Sequence, residues 1–154
     1  MFDNDEYFMK EALKIAKLSS INSEVPVGAI IVKDGRIISF GINRREKEKN
    51  SLCHADIEAI DGACKILGGW RLFACDLFVT LEPCPMCAGA IINSRIRRVV
   101  FGAYDKKAGS CGSVVNLFDL PYNHKPLLKG GVLSNECSNI ISNFFEKLRR
   151  DKKL

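Results

Sequence analysis

Thr80-Leu81-Glu82-Pro83-Cys84-Pro85-Met86-Cys87-Ala88-Gly89-Ala90 changes character in its middle, from an apolar β-prone run to small residues, and two prolines mark the change. Residues 76–81 read as a strand. Pro85 suits the first helical position, where a missing N–H costs nothing, so residues 85–93 read as a helix that packs closely through Ala88, Gly89 and Ala90. Cys84 and Cys87 then stand at a helix N-terminus with their sulfurs pointing the same way. The helix dipole favours their ionised form, as a divalent cation requires. Taken alone, a Cys-x-x-Cys pair is also compatible with a redox couple or two buried thiols.

Upstream, His54-Ala55-Asp56 opens a second helix. Ile57, Ile60, Cys64 and Leu67 step by three, four and three residues before Gly68-Gly69 stops the pattern. His54, Cys84 and Cys87 supply one nitrogen and two thiolates, and three protein ligands leave the fourth tetrahedral position of a zinc ion to water. That describes a catalytic site and not a closed structural one. Cys53, Cys64, Cys75, Cys111 and Cys137 form no second pair at ligand spacing. Zinc lowers the pKa of a bound water toward ~7, and Asp56 offers a carboxylate to move protons beside it.

Working outward, residues 5–19 carry apolar side chains at helical spacing. Residues 27–33 and 36–42 alternate as strands around Asp34-Gly35, a dipeptide that favours a two-residue hairpin turn. Residues 44–51 form a charged loop, 98–102 a further strand, 104–113 and 119–126 loops. Ser134 is the expected cap of a last helix bearing Ile140, Ile141, Phe144, Phe145 and Leu148. The order helix, hairpin, helix, strand, helix, strand indicates an α/β layer sandwich around a mixed sheet, with residues 1–154 as one domain. No apolar run approaches the ~20 residues of a membrane-spanning helix, and no charge-led apolar stretch opens the sequence, so a cytoplasmic protein with seven reduced cysteines is expected. The net charge is +5. Arg95, Arg97 and Arg98 cluster, as do Lys147, Arg149, Arg150, Lys152 and Lys153. Both groups suit either phosphates or solvated helix ends.

From residue 6 to residue 150 the chain resembles the bacterial tRNA-specific adenosine deaminases. The resemblance rests on Glu24-Val25-Pro26-Val27-Gly28-Ala29, Gly41-Ile42-Asn43, the quoted 80–90 stretch, Ser94-Arg95-Ile96, Phe101-Gly102-Ala103, Asn123-His124 and the Phe144-Phe145 pair in a basic last helix. It implies a cytidine-deaminase-like fold, a three-layer α/β/α sandwich around a mixed five-stranded sheet, and a homodimer with one zinc per subunit. The implied activity is hydrolysis of the wobble adenosine to inosine in the anticodon stem-loop of an arginine tRNA. A loop base can leave its stack and be read in a pocket, which makes such a substrate accessible. Carried over by position, Asn43 bonds the nucleoside, Val27 lines the base pocket, Asp105 faces the sugar or backbone, and Phe144 with Phe145 lies near the anticodon. Core packing of at least one of these phenylalanines, a turn-forming Asp105 and a hairpin-ending Asn43 are the structural alternatives.

One departure is central. The family has His-Ala-Glu where this chain has His54-Ala55-Asp56, which withdraws the carboxylate by roughly 1–1.5 Å, and a misplacement of about 1 Å can cost on the order of 100-fold in rate. Ser51-Leu52-Cys53 also replaces the family's Pro-Thr-Ala. A slower tRNA deaminase, a deaminase of a free base or nucleoside, and a catalytically impaired tRNA-binding relative all fit this departure. Glu58 lies one turn beyond His54, a poor position for a substitute acid, and Glu82 reads as a hydrogen-bond acceptor.

Overall fold

A computed structural model describes residues 4–152. The elements, in chain order, are α1 (Asn4–Ile21), β1 (Gly28–Lys33), β2 (Arg36–Ile42), α2 (Ala55–Leu67), β3 (Cys75–Leu81), α3 (Pro85–Asn93), β4 (Arg98–Ala103), a 3-10 turn (Leu117–Asp119), β5 (Leu127–Lys129) and α4 (Ser134–Lys152). The sheet order is β2-β1-β3-β4-β5. β1 runs antiparallel to both neighbours, while β3, β4 and β5 pair in parallel. This mixed five-stranded sheet with helices on both faces is the three-layer arrangement of the cytidine-deaminase-like fold.

The hairpin turn forms because Asp34 (φ 51°) and Gly35 (φ 74°) both take the left-handed conformation that matches the twist of paired strands. A register shift between Ile31 and Val32 interrupts the pairing of β1 with β2. Successive strand residues face opposite layers. Ile31, Leu77, Val79, Val99 and Phe101 enter the core shared with α2 and α3. Ile30, Val32, Phe78 and Val100 enter the core under α1, which also takes in Cys137 of α4. Both sheet faces are therefore covered.

The sequence reading differs at several edges. β3 begins at Cys75 and β4 extends to Ala103. Ser134 is the first residue of α4, and the preceding Leu133 turns through a left-handed φ of 53°. β5 escapes pattern reading because it has three residues and pairs along one edge only. The arginine cluster serves the fold. Arg97 and Arg98 pair with Asp76, Arg98 and Lys129 pair with Asp5, and Arg95 donates to the carbonyls of Ile92 and Asn93. Lys147, Arg149, Arg150 and Lys152 lie exposed in the last part of α4, while Lys153 lies outside the described residues.

Asp5 ties α1 to β4 and β5. Arg98 donates to both of its oxygens, at 2.7 and 3.1 Å, and Lys129 donates at 3.0 Å. The Arg98 hydrogen bonds, against the cost of burial, hold the Asp5 carboxyl below the usual aspartate range. With the folded-state pKa depressed, the stabilisation is whole above the unfolded value and is lost as pH falls through the folded value. Urea unfolding at pH 7 is expected to show Asp5→Asn less stable by about 1.5–3 kcal/mol. The difference closes in acid below about pH 4.

Candidate active site

His54 and Cys84 occupy equivalent places, each the extended residue just before a helix, at φ −91°, ψ 152° and φ −74°, ψ 176°. β2 delivers the chain to α2, and a Cβ on Gly41 would collide with the Ala55 carbonyl, so a glycine is what lets β2 approach the start of α2. β3 delivers the chain to α3. His54 Nδ1 consequently lies 3.6 Å from Cys84 Sγ and 3.5 Å from Cys87 Sγ, and the three donor atoms all fall within 4.8 Å of one another. A tetrahedral zinc with Zn–S of about 2.3 Å and Zn–N of about 2.0 Å spaces its sulfur and nitrogen ligands by about 3.5 Å. The donor set and its spacing fit that ion, and these are the residues able to hold it.

Of the three donors, Cys84 is the one shifted toward the deprotonated form that a cation requires. The Cys87 thiol, donating to Cys84, and then His54 pull Cys84 down to about 4, while the Cys84 partner and burial push Cys87 up. The Cys84 hydrogen bond raises His54. Asp56 lies beside them, 4% exposed, with Oδ2 lacking a hydrogen-bond partner among the described residues. Burial pushes its carboxyl up to about 7.

The pocket over these groups is walled by Val27, Asn43 and Asp105. Asn43 Nδ2 reaches the Val25 carbonyl at 3.4 Å. Asp105 forms a turn as well as a wall, accepting from the amides of Lys107 and Ala108 at 3.0 and 3.2 Å. Phe144 stands apart, in a neighbouring groove bordered by Val25, Asn43, Arg45, Phe145 and Leu148. Neither Phe144 nor Phe145 belongs to a core cluster, contrary to the core-packing expectation, and their rings meet edge to face at 5.4 Å. Glu58 pairs with Arg44 at 2.8 Å, which engages it away from the pocket. Glu82 accepts from the amides of Asp105, Cys111 and Ser113 and from the Ser113 hydroxyl, anchoring the 104–113 loop. His124 bonds the Ile96 carbonyl at 2.7 Å. Arg45 also lines the pocket and was absent from the sequence reading, because one arginine in a run of charges carries no local sign of its direction.

Residues 2–103 match the family described as cytidine and deoxycytidylate deaminase zinc-binding region. A tRNA-specific adenosine deaminase of Bacillus subtilis (strain 168) is 50% identical over 150 residues, 97% of this chain and 93% of the relative. This chain belongs to the zinc-binding deaminase family. The tRNA-specific adenosine deaminase of Haemophilus influenzae (strain ATCC 51907 / DSM 11121 / KW20 / Rd) is 45% identical over 152 residues, covering 97% of this chain and 88% of that one. A solved structure from a study of A-to-I editing by tRNA:A34 deaminases superposes with a TM-score of 0.84 at 43% identity, covering 87% of this chain and 98% of its own. Membership makes the protein a zinc-dependent hydrolytic deaminase.

Elemental analysis of the purified protein is expected to give one zinc per chain. Cys87→Ser is expected to lower zinc affinity by more than the roughly 100-fold that loss of an outer hydrogen-bond partner can cost. Its thermal midpoint then falls toward that of the chelator-stripped parent.

Proposed function

We propose that the protein deaminates the wobble adenosine of an arginine tRNA to inosine, with His54, Cys84 and Cys87 holding zinc and Asp56 moving the protons. The observation that carries this reading is the buried Asp56 carboxylate with an unpartnered oxygen beside a donor triangle of zinc dimensions. The near full-length relatives named as tRNA-specific adenosine deaminases support the substrate class, and the structure titled for editing at the wobble position supports the nucleotide. The arginine tRNA comes from the family resemblance. So does the homodimer, while the cytoplasmic setting and a single domain over residues 1–154 follow from the size, element order and apolar patterning of the sequence.

Zinc, when bound, supplies the Lewis acidity that makes water a nucleophile near pH 7. The chain supplies the rest. The adenine leaves its stack to enter the pocket, where Val27 packs against it and Asn43 hydrogen-bonds the nucleoside. Asp56 takes a proton from the attacking water and delivers it to the ring nitrogen next to C6. It then carries the second proton to the departing amine, so that the C6–N bond breaks, a C6–O bond remains and ammonia leaves. Asp105 meets the sugar or adjoining backbone, and Phe144 meets bases flanking the target. Aspartate keeps the charge of a glutamate but not its reach, so the reading is of a slowed enzyme.

The test measures ammonia release and inosine in an arginine-tRNA anticodon stem-loop, with free nucleosides alongside. The parent is expected to edit the stem-loop, Asp56→Glu to raise kcat by up to about 100-fold, and Asp56→Ala to abolish turnover without loss of zinc. Reaction of free bases or nucleosides alone would overturn the tRNA assignment.

A further inference from the structure

Glu24 is a buried carboxylate without an ion pair among the described residues, at 1% exposure. A charge in that position costs several kcal/mol unless hydrogen bonds satisfy it. Both of its oxygens are satisfied from one place. Oε1 accepts from the Glu46 amide at 2.9 Å and Oε2 from the Lys47 amide at 2.8 Å. Those amides belong to the charged loop after Asn43, and the same loop is tied down by the Arg44–Glu58 pair, by the Arg44 amide on the Cys53 carbonyl and by the Asn50 amide on the Arg45 carbonyl. Arg45 lies between these ties. It borders both the pocket over His54 and the groove beside Phe144, yet among the described residues its guanidinium makes no ion pair or hydrogen bond.

We propose that Glu24 is a positioning residue for substrate binding, whose grip on the 46–47 amides holds Arg45 between pocket and groove to meet the anionic backbone of an RNA with its target base in the pocket. This rests on the RNA substrate argued above. A guanidinium suits phosphate because its forked donors match two oxygens. It is effective only if the backbone carrying it is held in place, since ordering a free loop at each binding event opposes affinity. Glu24 itself stays behind the loop and touches no substrate. Its loss therefore weakens binding of ground state and transition state alike, which appears in KM and not in kcat.

The experiment compares Glu24→Gln, Arg45→Ala and the double variant on the stem-loop, as zinc-loaded protein, with amide hydrogen exchange at Glu46 and Lys47. Gln turns an N–H donor toward one of the two amides. Glu24→Gln is expected to raise KM about tenfold, the worth of one charge-assisted hydrogen bond, with kcat within about twofold, and to speed exchange at both amides. The double variant is expected to be no worse than Arg45→Ala, because one residue acts through the other. If the Gln variant does not fold, Glu24→Asp, with its charge one methylene too short, takes its place with the same expectations. Additive effects, a kcat loss matching the KM change, or unchanged exchange would overturn this proposal alone. A parent that edits no stem-loop overturns the RNA reading and this proposal together, and the exchange result then still reports whether Glu24 holds the loop.

Discussion

The site depends on the direction of β1. β2 and β3 both run antiparallel to it, so the two strands are parallel to each other and end on the same side of the sheet. β4, parallel to β3, ends there too. Three chain segments thus emerge together: two open helices with His54 and Cys84 at their starts, and the third becomes the loop with Asp105. Crevices at the carboxyl ends of strands are natural binding places in α/β sheets. Here the crevice also receives the positive ends of two helix dipoles, which favour thiolate over thiol.

Three buried carboxylates surround this crevice, and their hydrogen bonding divides them. Glu24 and Glu82 are saturated by backbone amides, each from a different loop beside the pocket. Burial of such a group is tolerated because the amides replace water. Among the described residues Asp56 has no such replacement on Oδ2. A buried polar atom left without a partner is a standing cost, and native folds keep few of them. The contrast separates two carboxylates whose oxygens hold loops in shape from one that leaves an oxygen uncommitted among the described residues.

What could be read from sequence was local. Asp34-Gly35 fixes its own turn, Gly68 ends α2 in a left-handed conformation, and Cys-x-x-Cys brings its spacing with it. The His54–Cys84–Cys87 grouping was legible because few residue types do this chemistry. Contacts between distant segments were not. Nothing near Asp5 announces Arg98 and Lys129, so the arginine cluster read as either a phosphate site or a solvated helix end, when it braces α1 against the sheet. Arg45 and Glu24 were hidden for the same reason, since a charged loop looks solvated until its anchor is known. Core packing was expected of at least one of Phe144 and Phe145 because helical spacing marks a face without saying what covers it.

α4 packs on the sheet face opposite α2 and α3, with Cys137 filling the space above Gly102, yet its later side chains Phe144 and Leu148 border the groove next to the pocket. The layer that carries the donor triangle and the layer whose side chains border the groove are thus separated by the sheet. Replacing groove-lining residues of α4 changes the shape and charge of the groove while leaving the donor triangle in place, so the two can diversify independently.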